Sequence, residues 1–289
     1  MIKILEGHNT MDGAGVKLFR VFANDTVELT DPFLLLDHFG SENPSEYIKG
    51  FPWHPHRGIE TVTYMLKGDV EHQDNLGHKG VIGPGDVQWM SAGSGIIHQE
   101  MPQGLHGMEG FQLWVNMPAK KKMINPEYRG IIKKEIKIVK NNDVEVKVIS
   151  GTYENVKGPV HNLVIDVAYL DVTLDKNKIF TYAPKKDYTT LCYVISGKGK
   201  FLSEKVSTNQ LVLFKEVDKI SVQSEDNSNN LRFLLISGKP LREKIAWGGP
   251  IVMNTQDELE EAFKELRDNT FIKSRKNKSN KNLKTDVKT

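Results

Sequence analysis

The sequence predicts an all-β protein of two antiparallel β-barrels with a short C-terminal helix. Three observations predict it. Most segments before residue 240 are short β-branched or aromatic runs broken by Gly, Pro, Asn or Asp. One such run recurs at a shift of 129 residues, and a helical pattern with its own start signal stands near the end of the chain.

The runs at 60–66, 81–90 and 110–116 show the strand pattern, and many short strands joined by turns imply sandwiches or barrels of antiparallel sheet. The repeat aligns Thr61-Val62-Thr63-Tyr64-Met65-Leu66-Lys67-Gly68 with Thr190-Leu191-Cys192-Tyr193-Val194-Ile195-Ser196-Gly197. Each reads as a strand ending at a glycine turn, so the later half is expected to repeat the earlier architecture. Between them, residues 117–126 hold two prolines and the triplet Lys120-Lys121-Lys122. That stretch reads as a crossing between barrels, its lysines a solvated face. Near the end, Thr255 and Glu258 form a capping box, and Leu259, Ala262, Phe263 and Leu266 fall on one helical stripe suited to packing. The expected organisation is an N-terminal barrel over residues 1–125, a second barrel plus helix over 126–272, and a basic disordered tail over 273–289.

Hydrophobic residues make up 38% of the 289 positions and charged residues 26%, the balance of a soluble globular chain. The lone cysteine, Cys192, has no internal partner and sits in an apolar run, so it reads as a buried, inert thiol. The first residues lack the apolar stretch of a secretory signal, and no segment approaches the roughly 18 apolar residues that span a bilayer. A cytoplasmic location without membrane contact is expected. The 39 basic and 37 acidic residues give a net +2, but residues 273–289 carry seven of the former and one of the latter. The body is thus mildly acidic, which argues against specific nucleic-acid binding by the domains.

Six of the nine histidines lie between positions 54 and 106, and none follows His161. The densest element is Phe51-Pro52-Trp53-His54-Pro55-His56-Arg57-Gly58-Ile59-Glu60. In an extended chain residues two apart share a face, so His54 and His56 can converge on one point. A second element, Gly83 to Glu100, ends Ile96-Ile97-His98-Gln99-Glu100 and offers an imidazole and a carboxylate at the same spacing. Three neutral nitrogens and one anionic oxygen suit a borderline first-row cation, with two octahedral positions left open. Glu60 competes with Glu100 for the carboxylate position; a supporting role fits Glu60 better. His72 and His78 flank a turn at Asn75-Leu76-Gly77 and read as exposed, and His106 reads as a surface group. The short glycine turns lack a dinucleotide fingerprint, and no serine sits in a nucleophile elbow.

The segment from Phe51 to Val62 resembles the first cupin signature of the pirin family, and Gly83 to Pro102 resembles the second. Similarity continues through Leu113-Trp114-Val115-Asn116-Met117-Pro118-Ala119 and Trp247-Gly248-Gly249-Pro250-Ile251-Val252-Met253-Asn254-Thr255. The resemblance implies a bicupin of jelly-roll type with one mononuclear metal, usually iron, in the N-terminal barrel. The family's ligand set falls on His54, His56, His98 and Glu100, which favours Glu100 over Glu60. Fe(II) is the expected ion, with Mn, Ni, Cu, Co and Zn as alternatives. At a shift of 129, His54 and His56 become Ala183 and Lys185, in keeping with a metal-free second barrel. Ser91 departs from the wider cupin pattern, where a proline often stands.

The leading functional expectation is quercetin 2,3-dioxygenase activity on a flavonol-like substrate with O2, Glu100 taking the substrate's hydroxyl proton. The alternative is a non-catalytic, redox-sensing iron protein that binds a transcription factor or metabolic enzyme. Sugar isomerisation is a cupin-level analogy.

Overall fold

The computed structural model describes residues 2–225 and 230–273. It forms two compact units, each drawn from separated stretches of chain. One, the site unit, comprises residues 9–18, 37–130 and the segment from Glu243 onward; the other comprises the segment up to His8, residues 19–36 and residues 131–242. The sequence boundary at 125/126 follows chain order, whereas these units exchange their end segments. The reason is pairing: strand Ile2–Glu6 joins Gln210–Phe214, and helix Gln256–Arg267 buries its stripe with Ile97 of the site unit.

The two units share one plan. A seven-stranded sheet that holds most strands of the site unit runs in the order Glu127–Ile131, Val87–Ser91, Ile59–Lys67, Met108–Asn116, Phe33–Ser41, Val16–Phe22, His8–Asp12. A four-stranded sheet runs Phe51–His56, Ile96–Gln103, Asp69–Asp74, Lys79–Ile82. The other unit has seven strands, Ile2–Glu6, Gln210–Phe214, Thr189–Ser196, Leu231–Gly238, Val167–Leu174, Val144–Ser150, Lys137–Lys140. Its four are Ile179–Tyr182, Ile220–Ser224, Lys198–Phe201 and Glu204–Ser207. The repeated segments are Ile59–Lys67 and Thr189–Ser196, each third in its large sheet. Both end at a glycine in the left-handed region, Gly68 at φ +73° and Gly197 at φ +86°, where a side chain would be strained.

The interiors differ in chemistry. Val146, Val148, Leu170, Val172, Phe201 and Phe233 belong to a continuous apolar core in the unit without the histidine motif, and Cys192 is buried there. Lys185, the counterpart of His56, pairs with Asp166 at the surface.

Three local expectations are refined. Residues 81–90 are two strands, because Gly83–Asp86 turns the chain: Asp86 N–H donates to Gly83 O at 2.9 Å. Lys122 is 1% exposed rather than part of a solvated face. His72 is buried rather than exposed, since alternation along Asp69–Asp74 turns Val70, His72 and Asp74 inward. The capping box forms as read: Glu258 N–H donates to Thr255 Oγ1 at 3.2 Å, and Thr255 N–H to Glu258 Oε2 at 3.0 Å. No helix among the described residues is long and apolar enough to cross a membrane. Of the tail expected over 273–289, Lys273 is described and pairs with Glu265 at 2.5 Å, and residues 274–289 lie outside the described residues.

Candidate metal centre

Strands Phe51–His56 and Ile96–Gln103 pair antiparallel with His98 opposite His54 and Ile96 opposite His56. The two-residue spacing then puts three imidazoles on one face. Their ring centroids lie 4.3 Å (His54–His98), 4.8 Å (His54–His56) and 5.0 Å (His56–His98) apart. The ligand atoms of the three fall within 4.8 Å of one another.

Backbone carbonyls fix the tautomers of two rings. His54 Nδ1 lies 2.8 Å from Pro52 O and His56 Nδ1 lies 3.2 Å from Pro250 O. A carbonyl can only accept, so both Nδ1 atoms carry the proton and both Nε2 atoms carry a lone pair. Those two Nε2 atoms face each other at 3.1 Å with no proton between them. His98 Nε2 is buried without a hydrogen-bond partner among the described residues. Converging lone pairs and an orphaned ring nitrogen fit a cation at their centre, and an all-imidazole set suits a first-row divalent ion. Burial pulls the pKa of all three rings down, strongly for His56 and His98, so the neutral, ligating form prevails.

Glu100 reaches the same interior but stands outside the three-imidazole cluster. Glu100 keeps the two-residue alternation with His98 on its own strand, the two pairing with His72 and Asp74 without a shift, and the extra residue lies on the partner strand, which sets Glu100 opposite Phe51. Thr63 Oγ1 lies 3.0 Å from Glu100 Oε1 and 2.8 Å from Gln112 Oε1. Burial raises the Glu100 carboxyl to about 7, the Thr63 hydrogen bond opposing it. The neutral acid can donate to Thr63, which passes its own proton toward Gln112; the carboxylate can accept from Thr63.

Glu60 is 1% exposed and takes a hydrogen bond from the Ser91 hydroxyl, its cross-strand partner. Alternation along Ile59–Lys67 sets Glu60 on the face opposite Thr61 and Thr63. Its carboxyl is raised by burial, with the Ser91 bond opposing. Ser91, where a proline was the wider expectation, thus supplies a donor to a buried acid.

Register defines an inner wall that motif reading missed. Thr63 stands between Gln88 and Gln112, and Thr61 between Met90 and Trp114. Cross-strand partners share a face, and this face looks on the centre: Trp114 packs edge-on to His56 at 5.2 Å, and Thr63 meets Glu100. Gln88 Nε2 donates to the Tyr128 hydroxyl at 2.9 Å, and that hydroxyl lies against His72. Thr61 Oγ1 and Gln88 Oε1 are buried without partners among the described residues. The available signal was polar residues recurring in the inward phase of otherwise apolar strands. His106, by contrast, is exposed, and His78 is half-exposed with its Nδ1 2.6 Å from Asp74 Oδ2.

Two units of one seven-plus-four strand plan, with a trihistidine centre on the inner wall of one, define a bicupin protein whose metal-binding cluster, among the described residues, lies in one barrel. Family models described as Pirin and as the Pirin C-terminal cupin domain match residues 15–115 and 169–272. The chain belongs to the pirin family. It is 41% identical over 274 residues to a pirin-like protein of Caulobacter vibrioides, covering 94% of this chain and 98% of that one. It is 40% identical over 277 residues to a Pseudomonas aeruginosa protein provisionally named a quercetin 2,3-dioxygenase, covering 93% and 96%. The crystal structure of a quercetin 2,3-dioxygenase from Acinetobacter baumannii matches with a TM-score of 0.86 at 31% identity, covering 93% of this chain and 96% of that one.

Proposed function

We propose that the protein is a cytoplasmic metal-dependent dioxygenase that opens quercetin-like flavonols with O2. The observation that carries this reading is the juxtaposition of three imidazoles with converging lone pairs and a buried carboxyl held by Thr63. His54, His56 and His98 would hold one divalent ion, Fe(II) in this reading, and Glu100 would complete the set. The bound ion supplies a Lewis-acid and redox centre for a phenolic oxygen and O2.

The chain's own residues do the rest. Glu100, relayed to Thr63 and Gln112, accepts the proton of the substrate's hydroxyl. Trp114 offers an aromatic face beside His56, and Thr61 and Gln88 offer unpaired polar atoms to a hydroxylated ring. Likeness to the Acinetobacter and Pseudomonas proteins supports the same chemistry.

The test is oxygen-dependent loss of the flavonol absorption band by iron-loaded protein. It should proceed with wild type and vanish in His56→Ala. No turnover of any flavonol by fully metal-loaded protein overturns the assignment.

A further inference from the structure

The ring of His56 is oriented by a carbonyl 194 residues away in sequence. Pro250 lies between the short strands Ala246–Gly248 and Ile251–Met253, which pair as a hairpin. That hairpin is fastened at one point beside the metal strand. Val252 N–H donates to Arg57 O at 3.0 Å, and Arg57 bridges Ile251. The Lys122 ammonium donates to Val252 O at 2.9 Å, to Gly58 O at 2.8 Å and to Asn116 Oδ1 at 2.6 Å.

We propose that Lys122 is a positioning residue for the metal centre, a pin that seats the C-terminal hairpin so that the Pro250 carbonyl holds His56 in its metal-facing tautomer. An ammonium has three protons and no acceptor capacity, and here each proton meets one oxygen. Two of those oxygens are main-chain carbonyls on either side of the joint, one two residues after His56 and one two residues after Pro250. The joint is close: Gly58 has φ +77°, and a Cβ there would stand 2.0 Å from Val252 O. Burial pulls the Lys122 amine down to about 7, with Glu243 and Glu258 opposing, and the three accepting oxygens favour the charged form.

A merely structural lysine and a positioning one give different results. In a buried site, Lys122→Met keeps the aliphatic stem and removes the three donors, so the fold can survive while the hairpin loses its pin. Groups that orient metal-ligating histidines typically change affinity by about 10- to 100-fold. The inference rests on the trihistidine site holding an ion, so two readouts are taken.

The first is the histidine nitrogen NMR spectrum of metal-free protein, which reports the tautomer of each ring and needs neither metal nor substrate. The second is the Co(II) dissociation constant by chelator competition, with the Co(II) visible spectrum as a reporter of geometry. Wild type should show His56 as a single Nδ1–H tautomer. Lys122→Met should show a mixture at His56, about tenfold weaker Co(II) binding and an altered spectrum, while the exposed neighbour variant Lys121→Met matches wild type. Asn116→Ala, which removes one acceptor, should shift both readouts in the same direction and decides the matter should Lys122→Met fail to fold. An unchanged His56 tautomer with Co(II) affinity within twofold of wild type, in whichever of the two variants folds, overturns the role. Failure of wild type to bind Co(II) sinks the metal-site reading instead, and the tautomer measurement still judges Lys122.

Discussion

His54 and His56 present their Nε2 atoms to each other at 3.1 Å while both Nδ1 atoms are committed to carbonyls of Pro52 and Pro250. Two lone pairs so placed repel unless a cation lies between them, so the apo centre stores a binding site rather than a stable contact.

His98→Ala should therefore separate metal binding from folding. It removes a desolvated ring whose Nε2 has no partner among the described residues, and the metal-free protein should lose little stability from that atom. The metal-dependent gain in stability should vanish; for wild type at a hundredfold excess of ion over the dissociation constant it is about 2.7 kcal/mol. Thermal unfolding with and without added Co(II) checks both.

Glu100→Gln keeps the shape and the contact with Thr63 but cannot take a proton at neutral pH. Flavonol turnover should fall by about 100-fold or more, and the metal dissociation constant should rise if the carboxylate is the fourth ligand. Steady-state absorbance and chelator competition measure the two effects separately.

Thr61→Val replaces a buried hydroxyl, without a partner among the described residues, by a methyl of the same shape. Stability of the free protein should hold or rise by up to roughly 1 kcal/mol. Binding of a polyhydroxylated flavonol should weaken, while a flavonol lacking the B-ring hydroxyls is unaffected, as read by tryptophan fluorescence. Equal loss for both ligands would count against the inner wall as a recognition surface.

Acid sensitivity should appear at the C-terminal helix. Glu265 pairs with buried Arg57 at 2.7 Å. Its partial burial raises the carboxyl, but hydrogen bonds from Lys273 and Arg57 outweigh this and hold it below the usual value. A depressed folded pKa contributes stability that is present above the unfolded value of 4.5 and is lost as pH falls through the folded value. Glu265→Gln should cost roughly 1.5–3 kcal/mol near pH 7, and the difference from wild type should shrink below pH 4.5 in denaturant titrations.

Much of the site was legible because strand geometry has an exact period of two. His54, His56 and His98 needed only extended backbone and antiparallel pairing to meet. Glu100 follows His98 in the same phase, but the extra residue within Phe51–His54 changes what it faces on the partner strand, and no local pattern announces that. The inner-wall residues Thr63, Gln88 and Gln112 lay in the inward phase, but their pairing depends on which strands are neighbours. Lys122 could not be told from Lys120 and Lys121 by composition; the 3-10 turn Ala119–Lys121 turns it inward, where it meets Val252, 130 residues on. The helix was read correctly from Thr255 and Glu258, but its attachment to the site unit depends on Arg57 reaching Glu265 and the Phe271 carbonyl. Long-range choices of this kind are set by packing, not by local propensity.

The most direct test of the central claim is the metal stoichiometry of purified protein, compared between wild type and His98→Ala after identical loading and removal of excess ion. One divalent first-row ion per wild-type chain, and close to none in His98→Ala, is the predicted result. Equal metal content in the two proteins, or none retained by wild type, would contradict the account.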